Sequence, residues 1–433
     1  MERFRALVSR EGSLKPPGLR VTVPKSTVSR LVGFAPPGWV RMTTADRPPF
    51  FAWARRPPSR PSVDVGLPRR LFEPELAGTE IEMVIEDATP YRAPPVPKST
   101  GSTGFDWLPY VDAENYFPTE TLDGKLLLHN RYEEPFAIRR VTATEPTYRM
   151  LGLYQAEGSK GSTALDVNLS STNPLLPRHA AELFTALGIG REHLSLEILR
   201  GHRDTADEAR TAFAIEGVDI VAERATSTPS QKKASAGVLH VRKSKPFLRL
   251  IRGALSAVFA SEFPSEAAAR EYALGWLDGD GTITITTSNP ELRLAGLYDE
   301  HEVMKRALVS AFGWKLEPGS RYIDDKQGTH ISLRAIELLD LLDANAFSFS
   351  MSRVRLLLAF DRRTHGLREI AEGKRSAAGG YARWGLVDED GVTELGEKIR
   401  AGHKRWQVEI EKARQLEATA PHLFGVKGVP NPL

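Results

Sequence analysis

The period of the hydrophobic pattern changes repeatedly along the chain. Ala268, Tyr272, Gly275 and Gly279 fall at i, i+4, i+7 and i+11, which is one face of a helix over Ala267–Gly279. Alternation then predicts strands over Thr282–Thr286 and Glu291–Leu297. A helix over Glu302–Phe312 and a hairpin of Trp314–Ile323 with Gly328–Leu333 follow. Helices over Ala335–Asp343 and Ser352–Arg362 complete the run. Upstream, RMLGLYQAEGSKG (Arg149–Gly161) has the same character as EYALGWLDGDGTITI (Glu271–Ile285). Aligned on Gly158 and Gly281, Gly152 matches Gly275, Ala156 matches Gly279 and Glu157 matches Asp280, an offset of 123 positions (281 − 158).

After the upstream copy the pattern predicts a strand at Ala164–Leu169 and a helix at Pro177–Leu187, with Ala180, Leu183, Phe184 and Leu187 on one face. A strand at His193–Leu199, an inserted helix at Asp204–Ala214 and a polar loop at Ala225–Gly237 come next. A strand at Val238–Arg242 and a helix at Pro246–Phe259 close the unit. Each unit is therefore expected to run helix, two strands, helix, two strands, helix. The chain reads as a tandem repeat.

Small residues four apart, Gly152 with Ala156 and Gly275 with Gly279, let two helix backbones approach closely. The natural partner of one stripe is the other, which places the two C-termini at one end. Those ends carry Glu157 and Asp280, and a carboxylate there opposes the helix macrodipole unless a counter-charge is near. The following glycines are expected to close the helices in a left-handed conformation. Converging carboxylates suit a hard divalent cation, which can activate water at a phosphodiester. A calcium loop starting at Asp278 is excluded, because its sixth and twelfth positions are Ile283 and Asn289. LAGLYDEHE (Leu294–Glu302) is a decoy, with His301 where an acid is needed.

ALGWLDGDG (Ala273–Gly281) and the looser MLGLYQAEG (Met150–Gly158) resemble the paired motifs of the LAGLIDADG homing endonucleases in their single-chain form. Gln155 and Glu157 depart from the family pattern. The resemblance implies an α+β fold of two pseudo-symmetric αββαββα subdomains forming a DNA-binding saddle, preceded by a small β-rich domain. It implies metal-dependent cleavage of double-stranded DNA by a monomer with internal two-fold symmetry. Mg2+, or Mn2+ in its place, would be held by Glu157 and Asp280 with Gly158 and Gly281. Lys160 and Lys243 are the basic residues assigned to the catalytic centre; the second half offers only Arg353 or Lys326. Arg200, Arg242, Arg293, Arg321, Lys326 and Arg334 are the expected DNA contacts, each of which can equally be a solvated charge. Lys232 and Lys233 are expected to make salt-dependent phosphate contacts. The same fold also admits a DNA-binding protein that does not cut, as a regulator or recombination accessory, or an RNA-splicing maturase.

The expected domains are a β-rich unit at 1–100, a linker at 101–140, subdomains at 141–262 and 263–365, and a helical extension at 366–433. In the first unit, Leu19–Met42 and Ser62–Ile85 each read as strand, Pro with a basic residue, short helix, Gly turn and strand. This resembles the two halves of an AbrB-type barrel; an unrelated proline-punctuated β-domain fits as well. Lys25, Arg30, Arg69 and Arg70 are its candidate phosphate contacts. The linker reading rests on YRAPPVPKSTGSTG. In the extension, GLVDEDGVTELGEKI resembles the wing and last helix of a winged-helix domain.

Composition adds exclusions. The 433 residues contain no cysteine, which rules out disulfides and thiolate metal sites. No stretch is apolar enough to span a bilayer and MERFRALVSREG lacks a signal-peptide core, so a cytoplasmic protein is expected. A net charge of +3 does not by itself announce nucleic acid, so the distribution of charge has to carry that case.

Overall fold

The computed structural model describes residues 2–420 apart from 12–17, 29, 31–37, 57–61, 69–70, 88–103, 114, 131–133, 160–163, 165, 203, 226–233, 286–289, 296–297, 317–327, 373–379, 384 and 390. The chain is α+β, with helices and several separate sheets.

Alternating Val, Leu, Ile and Phe in the first 87 residues fill the inside of a closed barrel. Its strands are β1 (Glu2–Glu11), β2 (Gly18–Val23), β3 (Gly38–Thr44), β4 (Arg47–Arg55), β5 (Val63–Leu67) and β6 (Glu80–Asp87), with helix α1 (Lys25–Val28) after β2. The ring order is β1-β2-β5-β4-β3-β6, and all six pairings are antiparallel. Exchanging β1 with β4, β2 with β5 and β3 with β6 leaves every neighbour in this ring unchanged. The two similar segments of sequence thus occupy equivalent places. Lys25 opens α1, and Arg30 is paired with Glu2 at 2.8 Å. Arg69 and Arg70 lie outside the described residues.

Residues 104–139 are not a linker. They form β7 (Gly104–Asp106), β8 (Phe117–Glu120), β9 (Lys125–His129) and β10 (Phe136–Arg139). Phe105, Trp107, Tyr116 and Phe117 in this stretch are buried, and such apolar area does not stay in water. The Pro, Ser and Gly content that suggested a linker is concentrated upstream, in 88–103. The three-stranded sheet β8-β9-β10 stands between the barrel and the rest: Phe51 stacks on Phe117 at 4.3 Å, and Trp39 Nε1 donates to the Ala113 carbonyl at 3.0 Å. On its other side Phe136 stacks on Phe247 at 5.7 Å.

The centre of the molecule is the pair α2 (Thr144–Glu157) and α6 (Glu266–Asp280), with β11 (Val141–Ala143) leading into α2. After α2 come β12 (Val167–Ser171), α3 (Leu175–Ala186), β13 (Leu194–Arg200), α4 (Ala206–Phe213), β14 (Asp219–Ala225), β15 (Ala236–Val241) and α5 (Lys245–Ala260). Their sheet has the order β12-β15-β13-β14. After α6 come β16 (Gly281–Ile285), β17 (Pro290–Ala295), α7 (Tyr298–Phe312), β18 (Gly328–Ser332), α8 (Ala335–Asp343) and α9 (Met351–Ala371), with sheet order β16-β17-β18.

One expectation needs correcting here. Between α2 and α3 the strand among the described residues is β12, and ahead of it Gly158 bridges to Leu169 and Ser159 N–H donates to the Asn168 carbonyl at 3.2 Å; residues 160–163 and 165 lie outside the described residues. The order in the first half also contains β14, parallel to β13, which the pattern did not announce. As an edge strand β14 buries little, with Ile220 and Val221 at 38% and 56% exposure, so it shows no alternation to read. The first strand of the hairpin expected at Trp314–Ile323 falls mainly outside the described residues.

Helix α9 runs straight through the boundary expected at residue 365. Beyond it lie α10 (Gly380–Arg383), the hairpin β19 (Val387–Asp388) with β20 (Gly391–Val392), α11 (Glu394–Arg405) and α12 (Gln407–Thr419). Leu367, Leu386, Ile399 and Ile410 join the same core as α6 and α9, so this stretch is part of the second half rather than an appendage. Thr393 caps α11 by accepting from Gly396 N–H at 3.1 Å. Asp361 on α9 holds it in place, accepting from Arg414 and pairing with His403. Among the described residues no helix is long and apolar enough to cross a membrane.

Candidate nucleic-acid interface

Gly152 and Gly275 set how close α2 and α6 come. A Cβ on Gly152 would lie 2.0 Å from the Tyr272 carbonyl oxygen, and one on Gly275 would lie 2.0 Å from that of Arg149. The contact is reciprocal at the offset of the sequence repeat, since Arg149 and Tyr272 are also 123 apart. Ala156 and Gly279 face one another: a Cβ on Gly279 would lie 2.5 Å from that of Ala156 and 2.9 Å from Glu157 Cγ. Gly152, Ala156, Gly275 and Gly279 therefore all lie where α2 and α6 touch.

The glycines that end these helices work differently from expectation. Gly158 (φ −76°, ψ 156°) and Gly281 (φ −77°, ψ 136°) are extended, not left-handed. They are needed for space. A Cβ on Gly158 would come within 2.4 Å of the Tyr154 carbonyl, and one on Gly281 within 2.7 Å of the Leu277 carbonyl. Here the chain passes directly from the last helical turn into a strand pairing.

Glu157 and Asp280 are half-buried at these ends. Glu157 lines an open cleft of about 560 Å³ with Ala156, Gly158, Ser170, Ser171 and Thr172. Among the described residues no group of three or more His, Asp or Glu side chains is placed to hold a metal ion. A divalent ion at this end would have two carboxylates, with the Gly158 and Gly281 backbone, water and phosphate left to complete its shell. Of the basic residues expected nearby, Lys160 and Lys326 lie outside the described residues. Lys243 is exposed in the turn after β15 at φ 52°. Arg353 is turned inward, donating to the Ala346 carbonyl at 3.2 Å and lying over the Trp406 ring at 4.8 Å.

Flanking the helix pair are two interactions the sequence did not reveal. Asp278 is buried and takes Arg149 Nη2 at 2.6 Å, while Glu271 takes Nη1 at 3.3 Å. Burial pushes the Asp278 carboxyl up, against Arg149 and the Ser348 N–H, which pull it down. At the matching position of α2, Gln155 is buried and donates to Glu300 Oε1 at 2.6 Å. His301, the residue that disqualified the decoy motif, is buried and bonded to Thr329 Oγ1 at 2.9 Å.

The sheet faces turned away from the core are polar: Asn168, Ser170 and His240 on the first, Thr282, Arg293 and His330 on the second. Most of the arginines expected to touch DNA already have partners. Arg200 is 3.6 Å from Glu223, and Arg242 is 3.5 Å from Asp219. Arg334 is spent on the start of α8, where it holds Glu337 at 2.6 Å. Arg293 is exposed and donates to His330 at 3.0 Å. Arg321, Lys232 and Lys233 lie outside the described residues.

No family model and no curated protein matches the chain. Among solved structures it is similar to the N-terminal LAGLIDADG domain of DUF199/WhiA, at 12% identity and TM-score 0.29, over 48% of this chain and 84% of that one. It is also similar to full-length DUF199/WhiA from Thermatoga maritima, at 15% identity and TM-score 0.32, over 64% of this chain and 71% of that one.

Proposed function

We propose that this chain is a double-stranded DNA-binding protein built on a LAGLIDADG-type core, in which two pseudo-symmetric subdomains meet at α2 and α6 and their sheets form a saddle over the duplex. The observation that carries this reading is the reciprocal packing of Gly152 on Tyr272 and Gly275 on Arg149, at the offset of the two motifs. Register supports it: Gly158 bridges to Leu169 as Gly281 pairs with Leu294, and β12 then pairs with β15 as β17 pairs with β18. Counting Gly158–Ser159 as the first strand and α4–β14 as an insertion gives the first half the order αββαββ, and the described residues of the second half follow it as αββαβ, with residues 317–327 between α7 and β18 outside them. Polar outward faces of such sheets suit groove contacts, and backbone affinity comes from counterion release at cationic side chains.

Cleavage is the second reading, and the half-buried Glu157 and Asp280 at adjoining helix ends favour it. Those two residues would hold Mg2+ or Mn2+, which supplies an activated water and neutralises charge at the phosphate. Binding without cutting is preferred because Arg353, the described basic residue available in the second half, is committed to carbonyls and Trp406. One experiment separates the two. A random pool of duplex DNA is incubated with wild type, Glu157→Gln and Asp280→Asn, with Mg2+, Mn2+ or chelator. The expected result is salt-dependent binding by all three proteins and no cutting. Metal-dependent double-strand breaks that the variants lose or convert to nicks would make the protein a nuclease; no binding to any duplex would overturn both readings.

A further inference from the structure

The second sheet carries on its outward face a chain of hydrogen bonds that neither the motifs nor the proposed function accounts for. Arg293 on β17 faces His330 on β18 across the strands. Arg293 Nε–H donates to His330 Nε2 at 3.0 Å, and His330 Nδ1 lies 3.0 Å from Glu291 Oε2. The first bond fixes the second. A ring nitrogen that accepts from a guanidinium carries no proton, so in a neutral imidazole the proton sits on Nδ1 and is donated to Glu291. The order is Glu291, His330, Arg293, with each member orienting the next, as outer-shell carboxylates orient histidines at metal sites.

The consequence concerns Arg293. An exposed arginine must give up rotamer freedom when it binds anything. Here Nε is already tied down, while the Nη groups at the far edge of the planar fork have no carboxylate partner among the described residues. A guanidinium held at Nε and open at Nη1 and Nη2 is prepared for a planar two-acceptor edge. In a duplex that edge is N7 and O6 of guanine in the major groove.

The first sheet shows what the same position looks like without this arrangement. His240 holds the place of His330, facing Asn168 where the second sheet has Arg293. Its carboxylate neighbour Glu197, 3.6 Å away, is also paired with Arg224 at 3.0 Å. There the glutamate sits between histidine and arginine and consumes the charge; in the second sheet the histidine sits between them and leaves the guanidinium available.

We propose that Arg293 is a guanine-reading side chain and that His330 and Glu291 are positioning residues that hold its fork toward the base. This rests on the DNA-binding reading and adds the base class and the half of the saddle that reads it. The test is selection of bound duplexes from a random pool, followed by affinity measurements on the selected sequence and on single-base changes. Wild type should prefer guanine at one position in the half-site under the second sheet. Arg293→Ala should lower that preference roughly ten-fold or more while changing affinity for unselected DNA little. His330→Ala should lose most of the same preference although Arg293 remains. His330→Gln, whose Oε1 can still accept from Arg293 Nε, should recover part of it. Histidine nitrogen shifts give a readout without DNA: His330, identified by its loss in His330→Gln, should be the Nδ1–H tautomer.

Three outcomes overturn the proposal while leaving DNA binding intact: uniform loss of affinity across sequences in Arg293→Ala, which marks a phosphate contact; an unchanged guanine preference in His330→Ala; or an Nε2–H tautomer at His330. Failure of wild type to bind any duplex overturns the DNA-binding reading and this proposal with it.

Discussion

The two halves of this molecule share a backbone device and differ in much of the chemistry placed around it. Gly152 and Gly275 meet the opposite helix at the same 2.0 Å for an added Cβ. Gln155 and Asp278 flank that contact as an amide against a carboxylate. Arg149 stands where the other helix has Tyr272, and Asn168 where the other sheet has Arg293. Close packing of two backbones tolerates no Cβ, so the contact must be alike on both sides. Positions one turn away need only a satisfied partner and are free to diverge.

The strongest way to break the comparison is at the glycines. Gly152→Ala and Gly275→Ala each drive a methyl into a backbone carbonyl, and each should cost about 3 kcal/mol or more in denaturant unfolding. The two losses should agree within about 1 kcal/mol if the contact is reciprocal. Gly279→Ala meets a side-chain methyl and should cost less, about 1 kcal/mol.

The flanking pair should separate the halves. Asp278→Ala strips Arg149 of its closer carboxylate and should cost about 3–5 kcal/mol, whereas Gln155→Ala removes one charge-assisted bond and should cost about 1.5–3 kcal/mol. Equal losses would mean that the ion pair is no special feature of the second half. The pH dependence sharpens this. Because the folded-state carboxyl of Asp278 is raised above its ordinary 3.8, the folded protein holds this proton more tightly than the unfolded chain. Its contribution to stability is therefore present below the ordinary value and is lost as pH rises through the raised one. Asp278→Asn should flatten that part of the stability–pH curve, and Gln155→Glu should leave the Asp278 slope in place.

The smallest effect is expected at Arg334. Removing its side chain breaks one half-exposed ion pair to Glu337, while the Arg334 N–H still donates to that carboxylate at 2.7 Å. Arg334→Ala should cost about 0.5–1 kcal/mol in thermal unfolding and leave DNA affinity within about two-fold. A much larger loss of DNA affinity would return Arg334 to the saddle as a contact.

Much of this was legible in the residues because it depends on periodicity. The stripe Ala268, Tyr272, Gly275, Gly279 announced which helix face is buried, and α3, α8 and α4 lie close to where their apolar faces put them. What could not be read lacks a period. Edge strand β14 buries too little to alternate, and residues 104–139 looked like a tether because a Pro-rich run precedes them. The partners of the arginines were out of reach for another reason. Arg149 meets Asp278 across 129 positions and Arg293 meets His330 across 37, and no local pattern encodes such pairings.

The sequence by itself determined that two small-residue helices pair at an offset of 123 with Glu157 and Asp280 at their ends, because glycine spacing and helical geometry admit one contact face. Only the tertiary structure decided which charges are spent internally and which face outward. Arg334 and Arg293 are both arginines at strand ends or faces; the first is consumed by a carboxylate three residues on, and the second is aimed by a histidine from the neighbouring strand. That assignment depends on distances between segments remote in the chain, which composition and spacing do not contain.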